Sequence, residues 1–304
     1  MTCYAPLKAY KGQDGGIAFS VKGGYVDRHI ELPCGQCLGC RIARAEQWAL
    51  RCVHESQCHR YNSFITLTYR DEEIPHTYGY TCDRCLLVHD RYNPSLCVKD
   101  WQLFAKRLRK ECGPFRFFHC GEYGDENLRP HYHACIFGLD FGGDRYLWKR
   151  ENGQRYYRSE QLENVWDKGH VVIGDVTFES AAYVARYVMK KVNGDNKEWW
   201  YHGRRPEYIT MSRRPGIGAQ WFNSYNCDVY PSDEVVLNGR RFKVPRYYDS
   251  LLENDGPEGQ ALLSVLKAAR LKRAAARSED MSPERLAVRE ALAERRNALL
   301  IRNI

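Results

Sequence analysis

The stretch Phe115–Phe137, FRFFHCGEYGDENLRPHYHACIF, decides how this chain is read. Two runs rich in aromatic and β-branched residues, Phe115–Cys120 and His131–Phe137, flank the polar turn Tyr123–Arg129, which is the pattern of two antiparallel strands. Side chains alternate across a strand, so His131 and His133 share one face while Tyr132 points to the other. Antiparallel pairing around the turn brings Glu122 opposite or diagonal to His131. Two imidazoles and one carboxylate then converge from a single hairpin. Such a set holds a divalent cation and leaves positions open for water or a phosphate oxygen. Taken singly, each residue has a plainer reading: histidines incidental to a strand, and a glutamate on a hairpin surface. Their convergence favours the site.

Outward from the hairpin, Asn62–Tyr69 (NSFITLTY) reads as a strand, and so does Gly169–Val176. Lys99–Lys110 reads as a helix with Asp100 as its N-cap and Gly113-Pro114 as its stop. A basic-faced amphipathic helix follows Cys34-Gly-Gln-Cys37-Leu-Gly-Cys40. Ser180–Val192 (SAAYVARYVMKKV) reads as a helix ended by Asn193-Gly194. On it Tyr183 and Tyr187, four residues apart, stack on one face. Arg186, Lys190 and Lys191 stand close by, and their charge favours tyrosinate and pairs with phosphate oxygens. The alternative is a helix that buries both tyrosines beside Val184 and Val188. The basic, aromatic stretch 199–225 reads as a loop region, and the Gly- and Tyr-rich stretch before residue 169 as an insertion.

Composition narrows the classes. A chain of 304 residues with 43% hydrophobic residues and a mean hydropathy of -0.62 excludes wholesale disorder. No apolar run reaches the roughly 18–20 residues that span a bilayer, and the first residues lack the apolar core of a signal peptide. A membrane or exported protein is not expected. The net charge of +8 leans toward a polyanion, and 13% aromatic residues suit stacking on unpaired bases. No G-x-x-x-x-G-K-[ST] occurs, so a helicase has to be a separate protein. Arg204, Arg205, Arg213 and Arg214, with the helix basic run Lys106–Lys110, are candidate DNA-backbone contacts, and Trp199, Trp200 and Tyr201 candidate stacking residues. Thirteen cysteines, an odd number, exclude complete disulfide pairing within one chain. Cys34, Cys37, Cys40, Cys82 and Cys85 offer five thiols at zinc-knuckle spacing, of which four would hold Zn²⁺. Cys52, His54, Cys58 and His59 compete with them, and free thiols in a tight turn are the alternative. From Pro257 onward Ala, Leu, Arg and Glu dominate; ten Lys/Arg against six Asp/Glu make this a basic, helical tail, with Ser282-Pro283 as a helix start. The organisation expected is a Cys-rich segment with the first helix over 1–60, a catalytic domain over 61–225, a connector over 226–256 and the tail over 257–304.

In order, FITLTY, GEYGDENLRPHYHACIFG and YVARYVMKK resemble the three motifs of HUH rolling-circle replication initiators. Together with Pro33–Arg41, Lys106–Lys110, Arg129–Ala134 and Ser212–Gly218, the chain is more closely similar to initiators of gokushovirus-type microviruses, over roughly residues 30–225. The resemblance implies an α+β palm: a central antiparallel sheet flanked by helices, with a Cys-rich N-terminal element and a helical tail. It implies that His131, His133 and Glu122 hold Mg²⁺ or Mn²⁺ and that Tyr183 and Tyr187 are nucleophiles, supported by Lys190. Arg186, Lys191, Arg213 and Arg214 are then DNA contacts. The implied reaction is attack on origin single-stranded DNA, giving a 5′-phosphotyrosine and a free 3′-OH, then rejoining. The implied setting is the cytoplasm of a bacterial host, with host helicase and DNA polymerase as partners. A tyrosine transposase of the same superfamily is the enzymatic alternative. A zinc-stabilised single-strand-binding module or a metal-dependent hydrolase would leave no protein–DNA adduct.

Overall fold

The hairpin forms, and the fold is built around it. In the computed structural model, which describes residues 3–12, 14–77, 80–81, 88–89, 93–124, 127–187, 197–276 and 278–298, Asn62–Tyr69 (β1), Arg116–Tyr123 (β2) and Pro130–Phe137 (β3) lie side by side with β3 in the middle. Tyr146–Glu151 (β4), Gln154–Arg158 (β5), Gly169–Gly174 (β6) and Tyr208–Met211 (β7) complete a seven-stranded sheet of order β4-β5-β6-β1-β3-β2-β7. Every neighbouring pair is antiparallel. The helices among the described residues are Leu38–Gln57 (α1), Val98–Cys112 (α2), Glu160–Trp166 (α3), Phe178–Tyr187 (α4), Lys197–Tyr201 (α5), Ala219–Tyr225 (α6), Arg246–Glu253 (α7), Gly256–Ala275 (α8) and Pro283–Ala298 (α9). The fold is therefore α+β, a large antiparallel sheet flanked by helices with a helical C-terminal part.

Strand alternation gives the sheet two faces of different character. On one, Ile65, Leu67 and Tyr69 of β1, Tyr132, Ala134 and Ile136 of β3, and Val171 and Ile173 of β6 form the core. Helix α2 covers them through Trp101, Phe104, Ala105 and Leu108, spaced one helical turn apart, and α3 through Leu162, Val165 and Trp166. Each such large side chain contributes roughly 1.5–3 kcal/mol on burial. The cap of α2 differs from the sequence reading: Cys97 is the N-cap residue, and Asp100 sits in the first turn, accepting a hydrogen bond from the Tyr69 hydroxyl at 2.7 Å. On the opposite face Trp48 of α1 stacks on Phe118 of β2, ring centroids 4.7 Å apart, and α4 lies against β2 and β3.

The chain divides into two units, residues 1–46 with 249–304, and residues 47–248. The first contains a three-stranded sheet of Leu7–Gly12, Ile17–Ala18 and Gly24–Leu32, together with α8 and α9. Helix α9 begins at Pro283 after Ser282, as the dipeptide predicts, and α8 opens with Pro257 in its first turn. The second unit holds the seven-stranded sheet. The stretch 199–225, read as a loop, carries α5, α6 and the edge strand β7, and the insertion before residue 169 carries the β4–β5 hairpin. Both strands are edge elements whose polar, aromatic residues face solvent on one side, so no clean alternation marks them. Among the described residues no helix is long and apolar enough to cross a membrane.

Candidate active site

The register of β3 on β2 sets His131 directly opposite Glu122, Tyr132 opposite Gly121 and His133 opposite Cys120. Tyr132 goes into the core, where its hydroxyl meets that of Tyr69 at 2.7 Å, donates to the Cys97 carbonyl at 2.8 Å and accepts from the Cys97 amide at 3.0 Å. Its cross-strand neighbour is glycine for want of space: a Cβ on Gly121 would stand 2.8 Å from the Tyr208 ring and 3.2 Å from that of Tyr132. This anchorage holds His131 and His133 on the far face.

There both imidazole Nε2 atoms lie 2.7 Å from Glu122 Oε1. Glu122 is 1% exposed, and among the described residues its Oε2 has no hydrogen-bond partner. The other ring nitrogens are spoken for: His131 Nδ1 lies 3.0 Å from the Arg129 carbonyl and His133 Nδ1 2.9 Å from Thr66 Oγ1. A carbonyl only accepts, so His131 Nδ1 carries the proton and Nε2 turns its lone pair toward the carboxylate. Lone pairs from three residues thus meet at one point, an arrangement that a cation placed among them relieves. The three ligand atoms lie within 4.8 Å of one another, so this group fits a divalent metal.

His119, on the same strand as Glu122 but of opposite parity, belongs to the other face. It stacks on Trp101 at 3.6 Å, and burial holds its pKa well below the usual histidine range, with the charge of His133 a smaller influence. Three histidines therefore sit on one hairpin, and parity alone selects the two that meet Glu122.

Helix α4 brings a phenol to the site. Thr177 and Ser180 cap each other, amide to hydroxyl at 2.8 and 3.1 Å, which starts the helix at Phe178. Ala181, Val184 and Ala185 face the sheet and are buried. Tyr183, half-buried, stands edge-on to His133 with ring centroids 5.0 Å apart and 6.5 Å from Phe64. Arg186 and Tyr187 close the described part of the helix, while Lys190 and Lys191 lie outside the described residues.

The family model for the phage replication-associated protein ORF2 matches residues 62–192, from β1 past the end of α4. Over 272 residues the chain is 33% identical to the replication-associated protein VP4 of Bdellovibrio phage phiMH2K, covering 85% of this chain and 79% of the relative. The chain belongs to the phage replication-associated protein family, of the gokushovirus type. The replication-associated protein ORF2 of Spiroplasma virus 4 is 30% identical, with 90% of this chain and 86% of the relative covered. For ORF4 of Chlamydia phage 1 the figures are 30%, 73% and 53%. No solved structure matches.

In this replication-associated protein the turn Ser212–Gly218 is a fastened loop rather than a free one. Ser212 exchanges hydrogen bonds with the Phe117 backbone at 3.0 and 3.1 Å, and an Arg116 terminal nitrogen donates to the Pro215 carbonyl at 2.8 Å. Arg51 Nε donates to the Ile217 carbonyl at 2.9 Å, and the Gly218 amide to Glu55 Oε2 at 2.7 Å. Gly218 has φ +81°, and a Cβ there would stand 2.6 Å from the Tyr248 hydroxyl, so glycine is required. Glu55 is the hub and is 1% exposed, bound also by Arg116 and His59. Burial works to raise its pKa, but the hydrogen bonds from His59, Gly218 and Arg116 outweigh it and hold the carboxyl below its ordinary value. Arg213 and Arg214, at the exposed tip, are thereby presented to solvent on a rigid base. Sequence reading missed Glu55, because on an amphipathic helix a lone glutamate looks solvated. Its signal is an acidic residue on the apolar stripe.

Arg204, read as a DNA-backbone contact, is instead buried, its guanidinium bonded to the Tyr201 and Trp200 carbonyls at 3.0 and 2.7 Å and lying over the Tyr123 ring. Tyr201 is buried too, its hydroxyl donating to Glu207, while Trp199 and Trp200 are exposed. At the N-terminal end Cys34, Cys37 and Cys40 come together, and the fourth thiol beside them is Cys3. Cys82 and Cys85 lie outside the described residues. Cys52, His54, Cys58 and His59 form no metal-ligating group among the described residues.

Proposed function

We propose that this replication-associated protein is an HUH-type initiator that nicks origin single-stranded DNA and later rejoins it. The observation that carries the reading is Tyr183, standing against His133 beside a buried group of two histidines and a glutamate. His131, His133 and Glu122 would hold Mg²⁺ or Mn²⁺, with carboxylate suiting either and imidazole favouring Mn²⁺. When bound, such a cation supplies charge neutralisation and polarisation at a scissile phosphate.

The chain's own groups do the rest. The Tyr183 phenol gives up its proton, its oxygen attacks phosphorus, and the bond from phosphorus to the departing 3′ oxygen breaks. A 5′-phosphotyrosine and a 3′-OH result. The phosphodiester energy stays in the new link, so attack by a 3′-OH rejoins the strand without ATP. Tyr187, one turn on, is the second nucleophile for a further cleavage, with Lys190 assisting. Arg186, Lys191, Arg213 and Arg214 hold the DNA backbone. The catalytic part is residues 61–225 and the basic tail an accessory. The protein acts in the bacterial host's cytoplasm, upstream of host helicase and polymerase, in keeping with relatives from phages of Bdellovibrio and Chlamydia.

The test is a denaturing gel with labelled single-stranded origin DNA, in Mn²⁺ or EDTA, comparing wild type with Tyr183→Phe, Tyr187→Phe and both together. A heat-stable, metal-dependent adduct lost in the double variant supports the mechanism and ranks the tyrosines. Cleavage with repeated turnover and no adduct refutes it in favour of a hydrolase. Tight binding without cleavage refutes it in favour of a binding module.

A further inference from the structure

Cys3, Cys34, Cys37 and Cys40 belong to the unit that does not contain the histidine hairpin, and nothing in the nicking chemistry uses them. The four Sγ atoms lie within 4.8 Å of one another, and Cys37 Sγ stands 3.8 Å from Cys3 Sγ. All four are free cysteines, and that spacing is far from the roughly 2.05 Å of a disulfide. It is the separation that tetrahedral geometry gives to sulfurs held at about 2.3 Å from a common Zn²⁺, about 3.8 Å.

The backbone around the thiols is arranged for negative sulfur. The Tyr4 amide donates to Cys37 Sγ at 3.2 Å and the Cys34 amide to Cys3 Sγ at 3.3 Å. The Gln36 and Cys37 amides both donate to Cys34 Sγ, at 3.4 and 3.2 Å. A thiol sulfur is a weak acceptor, and four amides aimed at three of them match thiolates, whose charge they offset. The turn that aims them depends on Gly35, whose φ of +74° disfavours any side chain. Cys40 is then delivered by the first turn of α1, and Cys3 by the segment ahead of the strand Leu7–Gly12.

We propose that Cys3, Cys34, Cys37 and Cys40 form a closed, structural Zn²⁺ site that ties the start of the N-terminal sheet to the N-terminal end of α1. Four thiolates select a soft or borderline ion and leave no position for substrate, in contrast to the harder Glu122–His131–His133 group. The protein therefore carries two metal sites of different chemistry: the thiolate site keeps its ion through dialysis with EDTA at concentrations that strip Mn²⁺. Cys3 is the residue that spacing alone does not reveal, being 31 positions ahead of Cys34.

The experiment uses the full chain, with His131→Ala/His133→Ala introduced so that the hairpin cannot contribute. Elemental analysis after EDTA dialysis should give one zinc per chain, and growth with Co²⁺ should give the intense thiolate charge-transfer and d–d bands of a tetrahedral four-sulfur site. X-ray absorption at the zinc edge should show four sulfur neighbours and no nitrogen. Cys3→Ser should lower zinc retention at least tenfold, while Cys82→Ser/Cys85→Ser and Cys227→Ser should retain it fully. Because Cys3→Ser can also disturb folding, the absorption spectrum of the unsubstituted thiols decides independently. A zinc shell containing nitrogen, or zinc lost with Cys82 and Cys85 but kept without Cys3, overturns the assignment. So does a chain that binds neither Zn²⁺ nor Co²⁺.

Discussion

Replacing Glu122 by glutamine separates the cost of building the hairpin site from its use. Glu122 Oε1 faces two imidazole Nε2 atoms at 2.7 Å, and Oε2 is buried without a partner among the described residues. An amide of the same shape turns an N–H toward those lone pairs, so one repulsive contact becomes a hydrogen bond of about 1 kcal/mol. In EDTA at pH 8, Glu122→Gln should therefore unfold at the same temperature as wild type or about 2–4 °C higher, the shift that ~1 kcal/mol produces in a unit of some 200 residues. Manganese at a hundred times its Kd should stabilise wild type by about 2.7 kcal/mol, or roughly 5–10 °C. It should leave the variant unmoved, and the variant should form no DNA adduct. Thermal unfolding followed by circular dichroism, with and without Mn²⁺, reads both effects. Two results would refute the reasoning. One is a manganese shift of equal size in the variant, which removes Glu122 from the ligand set. The other is a metal-free variant weaker by about 3 kcal/mol or more, which makes the carboxylate half of a buried ion pair rather than a ligand.

The other predictions concern the surroundings of that site. Glu55→Ala should cost about 3–5 kcal/mol, because Arg116 and the Gly218 amide lose a buried partner; urea unfolding measures it, and a loss under 1 kcal/mol would mean the loop is held by other contacts. Arg213→Ala/Arg214→Ala should leave stability within about 0.5 kcal/mol and reduce the salt dependence of single-strand binding by about 0.7 in the log–log slope for each phosphate that the variant no longer neutralises. His54 is buried, with Nδ1 at 2.8 Å from the Tyr248 hydroxyl and its ring stacked on Trp221 at 3.5 Å; burial pulls its pKa down to about 4. A histidine depressed in the folded state binds its proton more readily when unfolded, so its contribution is complete above pH 6.5 and disappears as pH falls from 6.5 to 4. The loss is about 3 kcal/mol. His54→Phe should flatten that acid limb of the stability curve, and an unchanged limb would assign it to other groups.

Much of the fold is legible in single segments. NSFITLTY alternates, is bounded by turn residues and forms a strand over the same residues, Asn62–Tyr69. The hairpin is legible for a stronger reason: strand parity has a period of two, so placing His131 and His133 on one face and Tyr132 on the other needs no knowledge of the rest. Register through a short turn then puts Glu122 opposite His131 within one residue, and the structure aligns the pair directly. Sequence order likewise carries the family, because strand, hairpin and tyrosine helix follow one another as in its relatives.

What the sequence by itself determined, then, is everything set by a period or by a short loop: the central strands, the face of each hairpin residue, the tyrosines one helical turn apart. Tertiary structure decided which distant residues arrive at those places. Cys3 joins three cysteines more than thirty positions away, Glu55 collects Arg116 and Gly218 from elsewhere in its unit, and the edge strand Tyr208–Met211 exists because β2 offers it free backbone groups. Arg204, basic on paper, is used up by carbonyls and an aromatic ring. The physical reason is the same in each case. Local geometry acts over a few residues and is written in the sequence pattern, whereas desolvating a charge or a thiol is settled only by the partners that the folded chain brings within 3–4 Å.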